Sequence, residues 1–146
     1  MITRKLLIIE DNPGDVVLIG EALESTGIDF RLQHCETAIA ALQTVRGYET
    51  ASKDVPDIIL LDYNLPAGTA LDILLAIKEN PSLSGVKTAV VTCSVAPKDR
   101  EQALEAGADL FVYKPSDFDQ FLESIRTAVL TLLDQPRCTS EALAGS

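Results

Sequence analysis

Five side chains in this sequence are of the types that act together on a phosphate or a metal ion: Glu10, Asp11, Asp62, Thr92 and Lys114. They stand at the ends of short, largely apolar runs: the pair Glu10-Asp11 after Leu6-Leu7-Ile8-Ile9, Asp62 after Ile58-Ile59-Leu60-Leu61, Thr92 after Val86 to Val91 and Lys114 after Leu110 to Tyr113. Carboxylates gathered at one place raise each other's pKa, so something positive must balance them. Oxygen-only ligands suit Mg²⁺, which takes a few carboxylates with waters and often phosphate oxygens. Lys114 is a second positive charge, and Thr92 offers a hydroxyl donor. Together these are the parts needed to receive a phosphoryl group. A metal and Lys114 would neutralise the phosphoryl oxygens while Asp62 attacks.

The elements that position these groups are legible from the same apolar runs. Residues 55–66, Val-Pro-Asp-Ile-Ile-Leu-Leu-Asp-Tyr-Asn-Leu-Pro, read as a strand buried on both faces and then a turn. Other strands are expected over 5–9, 29–34, 86–91 and 110–113. A first helix starts at Asn12 as cap with Pro13 in its first turn, carries a broad apolar face of Val16, Val17, Ile19, Leu23 and their neighbours, and is closed by Gly27. Further helices are expected from Thr37 to about 46, over 71–79 before Pro81, and over 97–106 with Gly107 just past the end. Ser116 as N-cap and Asp119 at N3 read as a capping box for a last helix to about 133. Residues 47–54 read as a polar surface loop. Five strands, each followed by a helix, make an α/β fold with a doubly wound parallel sheet. One domain over 1–134 and a polar tail over 135–146 are expected. In such a sheet the carboxyl ends lie on one edge, and if the first and third strands are neighbours their carboxylates meet in a crevice.

Composition excludes several function classes. Acidic side chains number 22 against 12 basic ones, a net charge of -10, with no Lys/Arg cluster. That argues against a nucleic-acid or anionic-membrane surface. No apolar run is long enough to span a bilayer. Cys35, Cys93 and Cys138 lack metal-ligand spacing and point to a reducing compartment, hence cytoplasm. The single histidine, His34, reads as an exposed strand residue and leaves no histidine-based triad. Asp62 alone could be a turn cap, Asp15 and Asp57 read as helix-start and turn residues, and Cys93 as a small buried filler. On the last helix, Phe118, Leu122, Ile125, Val129 and Leu132 form one core seam. Phe121, Leu130 and Leu133 fall off it, which suggests a covered or partnered patch.

Taken together, these residues resemble the receiver domain of two-component response regulators. The match comprises the acidic pair Glu10-Asp11, Asp62, Thr92 thirty positions on, Lys114-Pro115 another twenty-two on, and the runs Asp62 to Pro66 and Ala106-Gly107-Ala108. It covers about residues 4–133. The resemblance implies a CheY-like three-layer sandwich: a five-stranded parallel sheet of order 2-1-3-4-5 with five helices. It implies that Asp62 accepts phosphate from a histidine kinase or phosphotransfer protein. Asp11, Asp62 and the Asn64 backbone carbonyl would hold Mg²⁺, or Mn²⁺ in its place, with Glu10 acting through water. Lys114 would contact the phosphoryl oxygens, Thr92 and Phe111 would act as the switch pair, and Asn64 and Ser94 would tune hydrolysis. Activity would be self-phosphorylation and slow autodephosphorylation rather than turnover of a separate substrate. Output would come from phosphorylation-dependent binding or relay, including a homodimer through the strand 4–helix 4–strand 5–helix 5 face or helix 5. Ala70 departs from the family's usual glycine. The 47–54 loop, the Asp11 to Asp15 run and Lys78-Glu79-Asn80-Pro81 resemble a stand-alone, dimeric subgroup that partners bacterial phytochrome-type kinases.

Two other classes compete. A degenerate receiver would only bind proteins. A haloacid-type phosphohydrolase also uses an aspartyl nucleophile, but it wants a second acid where Asn64 stands and a cap domain besides. A dinucleotide or flavin binder is disfavoured, because residues 12–15 lack the Gly-x-Gly-x-x-Gly spacing that pyrophosphate approach requires.

Overall fold

The computed structural model describes residues 3–49, 54–66 and 69–134. Residues 50–53 of the expected 47–54 loop and the tail with Cys138 lie outside them. The strands are β1 (Arg4–Ile9), β2 (Phe30–Cys35), β3 (Ile58–Asp62), β4 (Lys87–Thr92) and β5 (Leu110–Tyr113). The helices are α1 (Pro13–Glu24), α2 (Ala38–Gly47), α3 (Thr69–Glu79), α4 (Pro97–Glu105) and α5 (Phe118–Asp134). All pairings are parallel, in the order β2-β1-β3-β4-β5.

Side-chain alternation along the strands divides the core in two. Leu6, Ile8, Ile58, Leu60, Ala89 and Val91 pack against Ile19 and Leu23 of α1 and Ile125 and Val129 of α5. Leu7, Ile9, Ile59, Leu61 and Val90 face the other way, onto Val45 of α2 and Ile73, Leu74 and Ile77 of α3. Every residue of β3 is buried. Each of its aliphatic side chains contributes about 1.5–3 kcal/mol by leaving water, so the element that ends in Asp62 is also the best anchored. At the opposite edge of the sheet, Asp57 and Lys5 exchange bonds that fix the β1–β3 register. The Asp57 N–H donates to the Lys5 carbonyl at 2.7 Å, and Asp57 Oδ2 accepts the Lys5 N–H at 2.8 Å. The turn reading of Asp57 therefore holds.

Local capping follows the sequence at most helix ends. Asn12 Oδ1 accepts the N–H groups of Gly14 and Asp15, and Thr37 caps α2 through the Ala40 N–H. Gly107, with φ of 112°, reverses the chain out of α4, a conformation that L-residues with a Cβ rarely adopt.

Four local expectations are corrected. Asp117, not Ser116, caps α5: its Oδ1 accepts the Gln120 N–H at 2.9 Å. The buried stripe of α5 runs through Phe121, Ile125, Ala128, Val129 and Leu132, while Phe118 is exposed. Phe121 has displaced Phe118 because the helix starts only at Phe118, so the next turn is the first to face α1. Cys93 is exposed rather than buried. The loop after α2 is not simply a surface loop at its start. Tyr48 is buried, and Asn80 Nδ2 donates to the carbonyls of Val45 and Tyr48 at 2.8 and 3.1 Å. Ala70 sits in the first turn of α3 and is buried. A helical conformation suits alanine, so the usual glycine is not required there.

Candidate functional site

The strand order makes β1 the neighbour of β3, and this brings the acidic residues together. Glu10, Asp11 and Asp62 each offer a carboxylate oxygen, and these atoms lie within 4.8 Å of one another. Glu10 and Asp62 are buried, whereas Asp11 is exposed at the mouth. Asp62 Oδ1 accepts the Asn64 N–H at 2.8 Å. The aspartate thus does cap its own turn, and that bond fixes the carboxyl group in the crevice.

Lys114 enters from the end of β5, its N–H bonded to the Thr92 carbonyl at 2.6 Å. Its ammonium lies 3.0 Å from Glu10 Oε1 and 2.7 Å from Asp15 Oδ2. In the sequence Asp15 reads as a helix-start residue. It does occupy the first turn of α1, but the same position turns its carboxylate toward Lys114. The signal available was the charge balance: one lysine had to answer three acids, and a fourth acid one helical turn away could share it.

Burial shapes the electrostatics. Loss of water around Glu10, with the Asp62 carboxylate next in importance, pushes its pKa from the ordinary 4.5 up to about 8, despite the opposing pull of Lys114. Burial alone would lower the Lys114 pKa, but Asp15, Glu10 and Asp62 outweigh it and hold the ammonium above the ordinary lysine value. A linkage prediction follows for the metal-free protein. Between about pH 4.5 and 8 the folded chain keeps a Glu10 proton that the unfolded chain has lost. Stability contributed by this group is therefore lost as pH rises through that window. Melting temperatures in chelator should fall from pH 5 to 8.5, and Glu10→Gln should flatten the slope; superimposable profiles for the two proteins would refute the assignment.

The remaining predicted residues line the same edge. Thr92 is fully buried, and its hydroxyl donates to Asn64 Oδ1 at 3.2 Å. The same amide oxygen accepts the Cys93 N–H at 2.9 Å, so Asn64 latches the β4–α4 turn. The Ser94 hydroxyl donates to Asp99 Oδ2 at 2.5 Å, which ties it to the first turn of α4 instead of the Asp62 carboxylate. Phe111 is partly buried and meets the Tyr63 ring edge-on, centroids 5.9 Å apart. The Tyr63 hydroxyl in turn donates to Gln102 Oε1 of α4 at 3.3 Å. Tyr63, next to Asp62, thus couples the turn after β3 to both β5 and α4, a role its sequence position alone does not show.

His34 is exposed on β2, as expected, but it is not idle. Its Nε2 lies 2.7 Å from the Glu10 carbonyl oxygen; since a carbonyl only accepts, Nε2 carries the proton. It braces the start of the acidic turn. Among the described residues no helix is long and apolar enough to cross a membrane.

The donor set is all oxygen, clustered and under-compensated by one lysine, which is the chemistry a hard divalent cation fits.

Comparison with known proteins agrees with this geometry. The pattern of the response regulator receiver domain matches residues 6–126. The chain is 28% identical over 120 residues to the probable methanogenesis regulatory protein FilR2 of Methanothrix harundinacea, covering 82% of this chain and 77% of FilR2. It is similar to the crystal structure of the phosphorylated cyanobacterial phytochrome response regulator RcpA. There the TM-score is 0.81 at 25% identity, over 94% of this chain and 100% of the other. The Mn²⁺-bound form of response regulator Rcp1 shares the fold, with a TM-score of 0.78 at 24% identity over 93% and 99% of the two chains.

Proposed function

The chain belongs to the response regulator receiver domain family, and from that premise we propose that it is a phosphorylatable switch whose acceptor is Asp62. The observation that carries the reading is the meeting of Glu10, Asp11 and Asp62 beside a lysine at the carboxyl edge of the sheet. A degenerate, binding-only receiver would have no need to keep this costly charge cluster.

In the transfer, an Asp62 carboxylate oxygen attacks the phosphorus of a phosphohistidine on a kinase or phosphotransfer protein. The new P–O bond forms as the P–N bond breaks, and the imidazole leaves with the electron pair and takes a proton. Lys114 neutralises charge on the phosphoryl oxygens. Asp11, Asp62 and the Asn64 backbone carbonyl would hold Mg²⁺ or Mn²⁺, with Glu10 acting through water. The ion, when bound, supplies charge neutralisation on the transferring group. Mn²⁺ in Rcp1 supports the choice of a divalent ion. Water attack at the acyl phosphate later returns the carboxylate and releases inorganic phosphate, with Asn64 and Ser94 setting its rate.

Phosphorylation adds about two negative charges and three acceptor oxygens. Those oxygens compete with Asn64 for the Thr92 hydroxyl, and the β4–α4 turn, Phe111 and Tyr63 respond together. The proposed output is a changed β4–α4–β5–α5 face, read by a second copy of this chain or by another protein. The likeness to the phosphorylated cyanobacterial phytochrome response regulator RcpA supports a phytochrome-type kinase as the phosphoryl source.

The test is intact-mass spectrometry of the full chain with Mg²⁺ and a small phospho-donor such as phosphoramidate. One adduct of about 80 Da is expected, the mass of a phosphoryl group. It should be absent with chelator and absent in Asp62→Asn; an identical adduct in that variant would defeat the proposal.

A further inference from the structure

Lys114 is bound more tightly than phosphoryl chemistry alone asks. An ammonium has three N–H donors. In this structure two are committed, one to Glu10 at 3.0 Å and one to Asp15 at 2.7 Å. The shorter bond goes to α1, an element that supplies none of the proposed metal ligands. Side-chain exposure is only 11% for Lys114 and 20% for Asp15, so the pair is not a loose surface contact. Asn12 holds Asp15 in place by accepting its N–H at 3.3 Å.

On this geometry we infer that Asp15 is a resting-state counter-ion, a positioning residue that competes with a phosphoryl group on Asp62 for the Lys114 ammonium. The inference rests on the receiver reading above and deepens it. Before phosphorylation, Asp15 draws Lys114 toward α1. When a phosphoryl group arrives, its oxygens must take over part of that ammonium. The strength of the Asp15 pair therefore sets how readily the phosphorylated form is reached and how long it persists. The competition gives α1, through its first turn, a direct hold on the acceptor.

Asp15→Asn separates the charge from the geometry. The amide oxygen still accepts an N–H from Lys114, so the lysine stays placed, but the competing negative charge is gone. The probe is beryllofluoride, a stable phosphoryl mimic, titrated by calorimetry into the full chain at saturating Mg²⁺. Asp15→Asn should bind it about fivefold tighter, the scale of a partly exposed ion pair. Asp15→Glu, which restores the charge, should bind like the unaltered chain. In a Lys114→Met background, adding Asp15→Asn should change affinity by less than about twofold, because the lysine mediates the effect. Unchanged or weaker binding by Asp15→Asn overturns the inference. So does an effect that persists without Lys114, which would make Asp15 a general source of repulsion. If the unaltered chain binds no beryllofluoride, the receiver reading itself fails and this inference falls with it. Normal binding with an inert Asp15→Asn removes the counter-ion role alone.

Discussion

Lys114→Ala is expected to slow phosphoryl transfer to Asp62 by about 10²–10³-fold at saturating Mg²⁺, the cost of removing one preorganised charge-stabilising donor. The ammonium sits in a partly desolvated crevice, where its interaction with developing charge is stronger than in water. Glu10 keeps it at the crevice, and the phosphoryl oxygens take over the part of its bonding that Asp15 holds at rest. Its loss should act on the transfer step more than on metal binding. With one cation fewer near the carboxylates, the half-saturating Mg²⁺ concentration should not rise. The substitution also leaves Glu10 and Asp15 without their common partner, so the metal-free variant should melt at lower temperature and recover part of the difference in Mg²⁺. Time courses of adduct formation across Mg²⁺ concentrations separate these effects. A saturated rate within about threefold of the unaltered chain would remove Lys114 from the transfer step.

Leu61→Ala is expected to cost about 2–5 kcal/mol of folding stability, the range for emptying a fully packed aliphatic site. Leu61 has no exposed surface and packs from the centre of the sheet into the α2–α3 side of the core. Both flanking strands are paired, so β3 cannot move to fill the void. The contrast is Ile39, which is 72% exposed on α2; Ile39→Ala should shift stability by no more than about 0.5 kcal/mol. Urea unfolding of the two variants checks this. A Leu61→Ala cost below about 1 kcal/mol would mean that the central strand is not a rigid support for Asp62.

How far the sequence could be read depended on whether a feature was local or assembled. The β3 run was plain because burial on both faces leaves no polar residue between Ile58 and Leu61. Glu10, Asp11, Asp62, Thr92 and Lys114 were legible as candidates because each stands where an apolar run ends, and a parallel sheet puts those ends on one edge. Side-chain partnerships were harder, because reach across elements leaves little trace in spacing. Asp15 had a sufficient local explanation as a first-turn acid of α1, and that explanation hid its contact with Lys114. His34 likewise looked idle because its partner is a backbone carbonyl, which no side-chain pattern marks. Phe118 and Phe121 exchanged roles in α5 because the stripe depends on where the helix begins, and Asp117 set that start.

The most direct measurement of the central claim is chemical mapping of the phosphorylated residue. An acyl phosphate, unlike a free carboxylate or a phosphate ester, is reduced by borohydride to an alcohol. The full chain, phosphorylated in Mg²⁺ and then reduced, should yield homoserine at position 62 in its peptide map, with none when Mg²⁺ is withheld. Reduction at another acidic residue, or a mass adduct that survives borohydride with Asp62 intact, would contradict the assignment of Asp62 as phosphoryl acceptor.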